Sequence, residues 1–169
     1  MRILFLIAFL LFISVPVQAQ TTATGASVFA ASGLPIPRFV SLRSDKVFVR
    51  TGPALRYPIK WIFKKEGLPV EIIQEFDTWR KVRDSDGEEG WIHQSLLSGN
   101  RSVLIQSQDA VALSRDPEHT GEKVALLEPG VVAVLSRCQG TLCEVSAGGY
   151  KGWAPRNLLW GIYENEELQ

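Results

Sequence analysis

The chain has 169 residues, and its 18 Lys and Arg balance 18 Asp and Glu. A protein whose main task is to track a phosphate backbone carries a clear cationic excess, so nucleic-acid binding is not expected. Two cysteines and two histidines without metal-ligand spacing, and no glycine-rich phosphate loop after a strand, leave no cofactor or metal to expect.

The N-terminus opens with Arg2, an apolar run from Ile3 to Ile13, and then Ser14-Val15-Pro16-Val17-Gln18-Ala19. A basic start, a short apolar stretch, a helix breaker and small residues at the cut are the parts of a secretory signal peptide. Residues 1–19 are expected to be removed after Ala19, which sends the chain to the periplasm. A membrane anchor needs roughly 20 apolar residues, about twice this run. Residues 20–37 hold no charge and are rich in Thr, Ala, Ser, Gly and Pro. They are expected to form a flexible leader, because such a stretch cannot bury enough surface to fold alone.

After the leader the chain repeats itself. Asp45-Lys46-Val47-Phe48-Val49 answers to Asp109-Ala110-Val111-Ala112-Leu113, Gly67 to Gly130, and Gly90-Trp91 to Gly152-Trp153. Leu96-Leu97-Ser98-Gly99 answers to Leu158-Leu159-Trp160-Gly161. Two copies of about 60 residues indicate an internal duplication. In the first copy, strands are expected near 46–50, 59–64, 68–75, 79–83 and 89–92. They are separated by Gly, Pro, Asp and Ser at the turns, and one closing helical turn reaches Leu96-Leu97. Leu68, Val70 and Ile72 share a pleat face and match Val131, Ala133 and Leu135. Trp61 and Phe63, aligned with Val124 and Leu126, read as core. No mature segment keeps a helical apolar period. The fold class is therefore all-β: two tandem small barrels of about five strands each, at 38–101 and 102–163, with an acidic tail at 164–169.

Charge is uneven between the copies. Residues 38–101 hold 12 basic and 9 acidic side chains, and residues 102–169 hold 5 and 9. Cys138 and Cys143, with four residues between them across Gly140-Thr141 in an exported chain, are expected to form a disulfide, with free thiols as the alternative. Val132 and Val134 make the second copy's central strand apolar on both faces, where the first has Pro69 and Glu71. A strand of that kind is covered on both sides, here by the first barrel or by a partner.

The ordered string Val47-Phe48-Val49-Arg50-Thr51-Gly52-Pro53, Tyr57-Pro58, Gly67, Trp79-x-Lys81-Val82, Gly90-Trp91-Ile92 and Ser95-Leu96-Leu97 resembles the bacterial SH3-like domain. The stretch from Trp61 to Ile73 is similar to a periplasmic branch of that family in Gram-negative bacteria. The second copy departs from the pattern, with Ser114-Arg115-Asp116 in place of Arg-x-Gly. The resemblance implies a non-catalytic module that binds peptidoglycan or another cell-wall peptide or glycan. The alternative is a periplasmic adaptor that holds an envelope protein by a strand edge or by the Val132/Val134 face.

Four residues of the first copy are candidates for ligand contact. Tyr57 and Trp79 both stand just beyond turns, and Arg56 and Arg83 lie near them, suited to pair with carboxylates. Trp79 has a second reading, as a lid on the barrel's open end. Trp91 and Trp153, each after a glycine, read as core or seam. Arg50 and Gly52 read as turn-shaping, the glycine through a positive φ.

Overall fold

The computed structural model describes residues 28–29, 32–118 and 121–168; the expected signal peptide and most of the leader lie outside them. A short pair, β1 (Val28–Phe29) and β2 (Pro35–Ile36), comes first. The first barrel then runs β3 (Arg38–Leu42), β4 (Val47–Arg50), β5 (Ile59–Phe63), β6 (Pro69–Phe76), β7 (Trp79–Arg83) and β8 (Glu89–His93). A 3-10 turn at Gln94–Leu96 leads to β9 (Leu97–Ser98). The second barrel repeats this: β10 (Ser102–Ile105), β11 (Val111–Ser114), β12 (Lys123–Leu127), β13 (Val132–Gln139), β14 (Leu142–Ala147) and β15 (Tyr150–Pro155). A 3-10 turn at Arg156–Leu158 and β16 (Leu159–Trp160) close it.

The two seven-stranded sheets have the same order, β5-β4-β8-β7-β6-β3-β9 and β12-β11-β15-β14-β13-β10-β16. Each strand of one barrel has its counterpart in the other, so the duplication read from sequence is a duplication of fold. Alternation places Val47, Val49, Val70, Ile72, Val82 and Ile92 in the first core, and Val103, Leu113, Ala133, Leu135 and Val145 in the second. Seven strands per sheet exceed the expected five because β3 and β9, and their copies, complete each barrel. β3 lacks a visible alternation for a physical reason. Its inner residues Val40 and Leu42 meet the core, while its outer residues Phe39 and Ser41 are buried under the second barrel.

The Gly-Trp motif is explained by closure of the barrel. A Cβ on Gly90 would run into Val49 Cγ1, and one on Gly152 would stand 2.8 Å from the carbonyl of Ser114. β8 and β15 cross β4 and β11 too closely for any side chain. At β5 and β12 the alignment read from sequence is one residue out. Phe63 pairs with Val47, and Leu127, not Leu126, pairs with Val111. Leu126 points outward and is 64% exposed, because a shift of one residue moves a strand's side chains to the other face.

The barrels meet through matching faces. The hydroxyls of Ser41 and Ser102 stand 2.5 Å apart, and Ser102 also donates to the carbonyl of Gly67. Phe39 packs edge-on against Trp160 and at 4.7 Å against Tyr163, whose hydroxyl donates to Glu71 at 2.9 Å. Val132 faces the first barrel beside Gly67. Val134, expected under cover, stands at the rim of the groove between the barrels and is 58% exposed. Tyr163 and the described part of the acidic tail, residues 164–168, are folded against both barrels, and residues 32–36 of the leader lie against the first. Among the described residues no helix is long and apolar enough to cross a membrane.

Candidate functional site

The family-like turn after β4 is built around one ring. A Cβ on Gly52 would stand 2.6 Å from the ring atoms of Tyr57, so the ring lies flat on the bare glycine. Gly52 is not among the positive-φ residues, which corrects the expectation that it serves the turn by a left-handed backbone. It is needed for close approach. Arg50 fixes the loop from below, donating from Nη1 to the carbonyls of Leu55 and Tyr57 at 3.0 and 2.8 Å. Arg56 is exposed, with its guanidinium 5.2 Å from the Tyr57 ring. Tyr57 and Arg56, two of the four candidates, thus stand side by side on this loop.

From Arg50 the outer face runs across three strands. Arg50 is the cross-strand partner of Trp91, and Trp91 is the partner of Lys81. Gly90 and Ile92 turn inward, so Trp91 turns outward, and it is partly exposed. One step along, Glu89 accepts from Lys81 at 2.6 Å and from Arg83 at 2.8 Å, and Arg83 also reaches Glu71 at 3.2 Å. The hydrogen bonds from Lys81 and Arg83 hold the Glu89 carboxyl below its ordinary range, and Glu89 in turn raises Arg83. The surface therefore combines an aromatic centre with Arg50, Arg56, Lys81 and Arg83, set against two carboxylates.

Trp79 does not join this group as a platform. Its side chain is on the outer face, opposite the inward Val82, but it is buried, 8% exposed, with its ring edge-on to His93 at 5.5 Å beside Phe76. Its neighbours on that face cover it. The aromatic that sequence reasoning passed over is Trp91, and the signal was present. In Gly90-Trp91-Ile92 the bare glycine and the apolar Ile92 mark the inner face, leaving the tryptophan outside.

The second barrel's equivalent surface is closed. Trp153, the copy of Trp91, is 4% exposed, and the Arg137 guanidinium lies 5.2 Å from its ring. Glu144 stands where the first barrel has Lys81, and Lys151 where it has Glu89. Their pair at 3.1 Å is the Lys81–Glu89 pair with its sign reversed, and Arg137 joins Glu144 at 3.2 Å. Ser114 stands in place of Arg50. Among the described residues no cluster of His, Cys, Asp or Glu could hold a metal ion.

The bacterial SH3 domain model matches the chain twice, at residues 43–99 and 107–161. No curated protein matches it. Among solved structures, NlpC2 from Trichomonas vaginalis aligns at 12% identity and a TM-score of 0.36, over 78% of this chain and 50% of its own. NlpC1 from Trichomonas vaginalis aligns at 16% identity and a TM-score of 0.34, over 77% and 48%. This chain spans about half the length of those proteins, and likeness at that level bears on neither activity nor partner. The duplicated strand order, the Gly52–Tyr57 turn and the paired Gly-Trp closures agree with the family match: this chain belongs to the bacterial SH3 domain family and carries the domain twice in tandem.

Proposed function

We propose that the protein is an exported, non-catalytic module of the cell envelope that binds peptidoglycan fragments or related wall polymer through the outer face of its first barrel. The observation that carries the reading is the contrast between the partly exposed Trp91, flanked by Arg50 and Lys81, and its copy Trp153, buried beneath Arg137. A rigid indole gives a large contact area for a sugar or peptide backbone at small entropic cost. The surrounding cations suit the carboxylates of wall stem peptides. Tyr57 and Arg56 extend the surface at one end and Arg83 at the other.

Co-sedimentation of the mature chain with purified sacculi tests this. Binding is expected, and it weakens as salt is added because its attraction is partly between exposed charges. No sedimentation at any ionic strength overturns the reading. The exposed Val134 beside the inter-barrel groove favours a second reading, an adaptor for an envelope protein. In that case recovery from periplasmic extract is abolished by Val134→Glu and sacculus binding is absent.

A further inference from the structure

The tail is held the way a peptide ligand is held. Arg156 Nη1 lies within hydrogen-bond distance of three backbone carbonyls, those of Tyr163, Glu164 and Glu166, at 3.0, 2.7 and 2.9 Å. The Glu166 carboxylate meets both terminal nitrogens of Arg101, with Nη2 at 3.1 Å, and accepts from the Tyr163 amide at 3.1 Å. Leu168 packs on the second core. These are contacts to main chain and to one carboxylate, made by a segment folded in a turn with the Glu166 amide on the Tyr163 carbonyl, chemistry that an acidic peptide able to take the same turn also offers.

Three further observations bear on the groove. Concavities of about 460 and 550 Å³ flank the tail and share Gly140, Arg156 and Glu164. The Nε atoms of Arg101 and Arg156 are buried without an acceptor, so the two guanidiniums have donors the tail does not use. The tail carries Glu164, Glu166 and Glu167, and the Glu166 carboxylate pairs with Arg101, a match of charge. The same mouth of the first barrel is closed by the N-terminal part of the described residues. There the amide and hydroxyl of Ser32 both donate to Glu75 at 2.9 Å.

We propose that the mouth of the second barrel is a binding groove for an acidic peptide held in a turn, kept shut in cis by residues 163–168. This is independent of wall binding by the first barrel. A tethered tail competes at an effective concentration near millimolar, and apparent affinity falls by the fraction of chains that are open.

The probe is a fluorescent synthetic peptide with the sequence of residues 163–169, offered to the full mature chain. Glu166→Arg repels Arg101 and releases the tail. This variant is expected to bind the peptide about tenfold or more tighter than the native chain, as removal of an in-cis competitor requires. A peptide with Gln at all its Glu positions is expected to bind weakly. A folded Glu166→Arg chain that ignores the peptide overturns the proposal. If that variant does not fold, hydrogen exchange on the native chain decides. Excess peptide then speeds exchange at the Glu166 amide, which bonds to the Tyr163 carbonyl in the closed form, and unchanged exchange overturns the proposal.

Discussion

Glu75 and Arg80 face each other across the β6–β7 hairpin at the place where the second barrel bonds Cys138 to Cys143. The duplicated fold thus fastens one hairpin twice, once with charge and once with a covalent bond. Glu75 has a side chain only 1% exposed, and Arg80 Nε stands 3.2 Å from it. Arg38 donates at 2.6 Å, and the Ser32 amide and hydroxyl supply the rest. Burial pushes the Glu75 carboxyl up, yet the bonds from Arg38 and Ser32 and the charge of Arg80 bring it below its ordinary value.

Glu75→Gln is expected to cost about 3 kcal/mol or more, because removing one member of a buried ion pair leaves the other uncompensated. The pH dependence has a definite sign. A carboxyl with a depressed folded pKa adds stability above its unfolded value, near 4.5, and loses it as pH falls through the folded one. Urea unfolding at a series of pH values checks this. The native chain weakens on acidification below that point, and the variant weakens less.

The Cys138–Cys143 bond closes a very small loop, so its expected contribution is about 2 kcal/mol. Reduction should lower the melting temperature by about 5 °C for a chain of this size. Collapse of the fold on reduction would show that the second hairpin depends on the bond far more than loop entropy allows.

Tyr163 carries the inter-barrel contact to Glu71. Its hydroxyl is held protonated well above the usual phenol range by burial and by that hydrogen bond. Tyr163→Phe is expected to cost about 1–2 kcal/mol, since Glu71 loses a partner at a partly buried seam. Val134→Glu, at an exposed position, is expected to stay within about 0.5 kcal/mol of the native chain. Chemical denaturation of residues 20–169 measures both. The reverse order of effects would place the seam elsewhere.

Gly52→Ala is expected to cost about 1–3 kcal/mol, because the added methyl displaces the Tyr57 ring rather than straining the backbone. Tyr57→Ala in the same chain makes room and recovers part of the loss. A double-mutant cycle shows the coupling, and strict additivity would contradict the packing account.

Most of the fold was legible in the sequence because the strands keep a period of two and the turns carry their glycines. Both copies also repeat Gly-Trp and Leu-Leu at one spacing. What was not legible has local causes. β3 hides because Phe39 and Ser41 are buried from outside while Val40 and Leu42 are buried from within. The slip at Trp61 and Phe63 lies beside bulges, at Val49/Arg50 and Leu113/Ser114, that no residue pattern announces. The Glu75–Arg38–Ser32 cluster joins residues 43 positions apart and needs the fold to be seen. At the candidate site Tyr57, Arg56 and Arg83 were named from sequence. Trp79 and Trp91 exchanged roles there, because both face outward and only neighbouring packing decides which one is covered.

The central claim, that the first barrel's outer face holds wall polymer, turns on the charge pair beside Trp91. The most direct measurement gives the first barrel the second barrel's signs at that pair, Lys81→Glu with Glu89→Lys. The pair between positions 81 and 89 survives with its sign reversed while the Glu89–Arg83 pair is lost, so melting should fall only by the worth of one partly exposed pair, about 1 kcal/mol or less. Co-sedimentation with purified sacculi at low salt is predicted to fall about tenfold or more, the equivalent of about 1.4 kcal/mol of binding. Unchanged binding by the folded double variant would contradict the account.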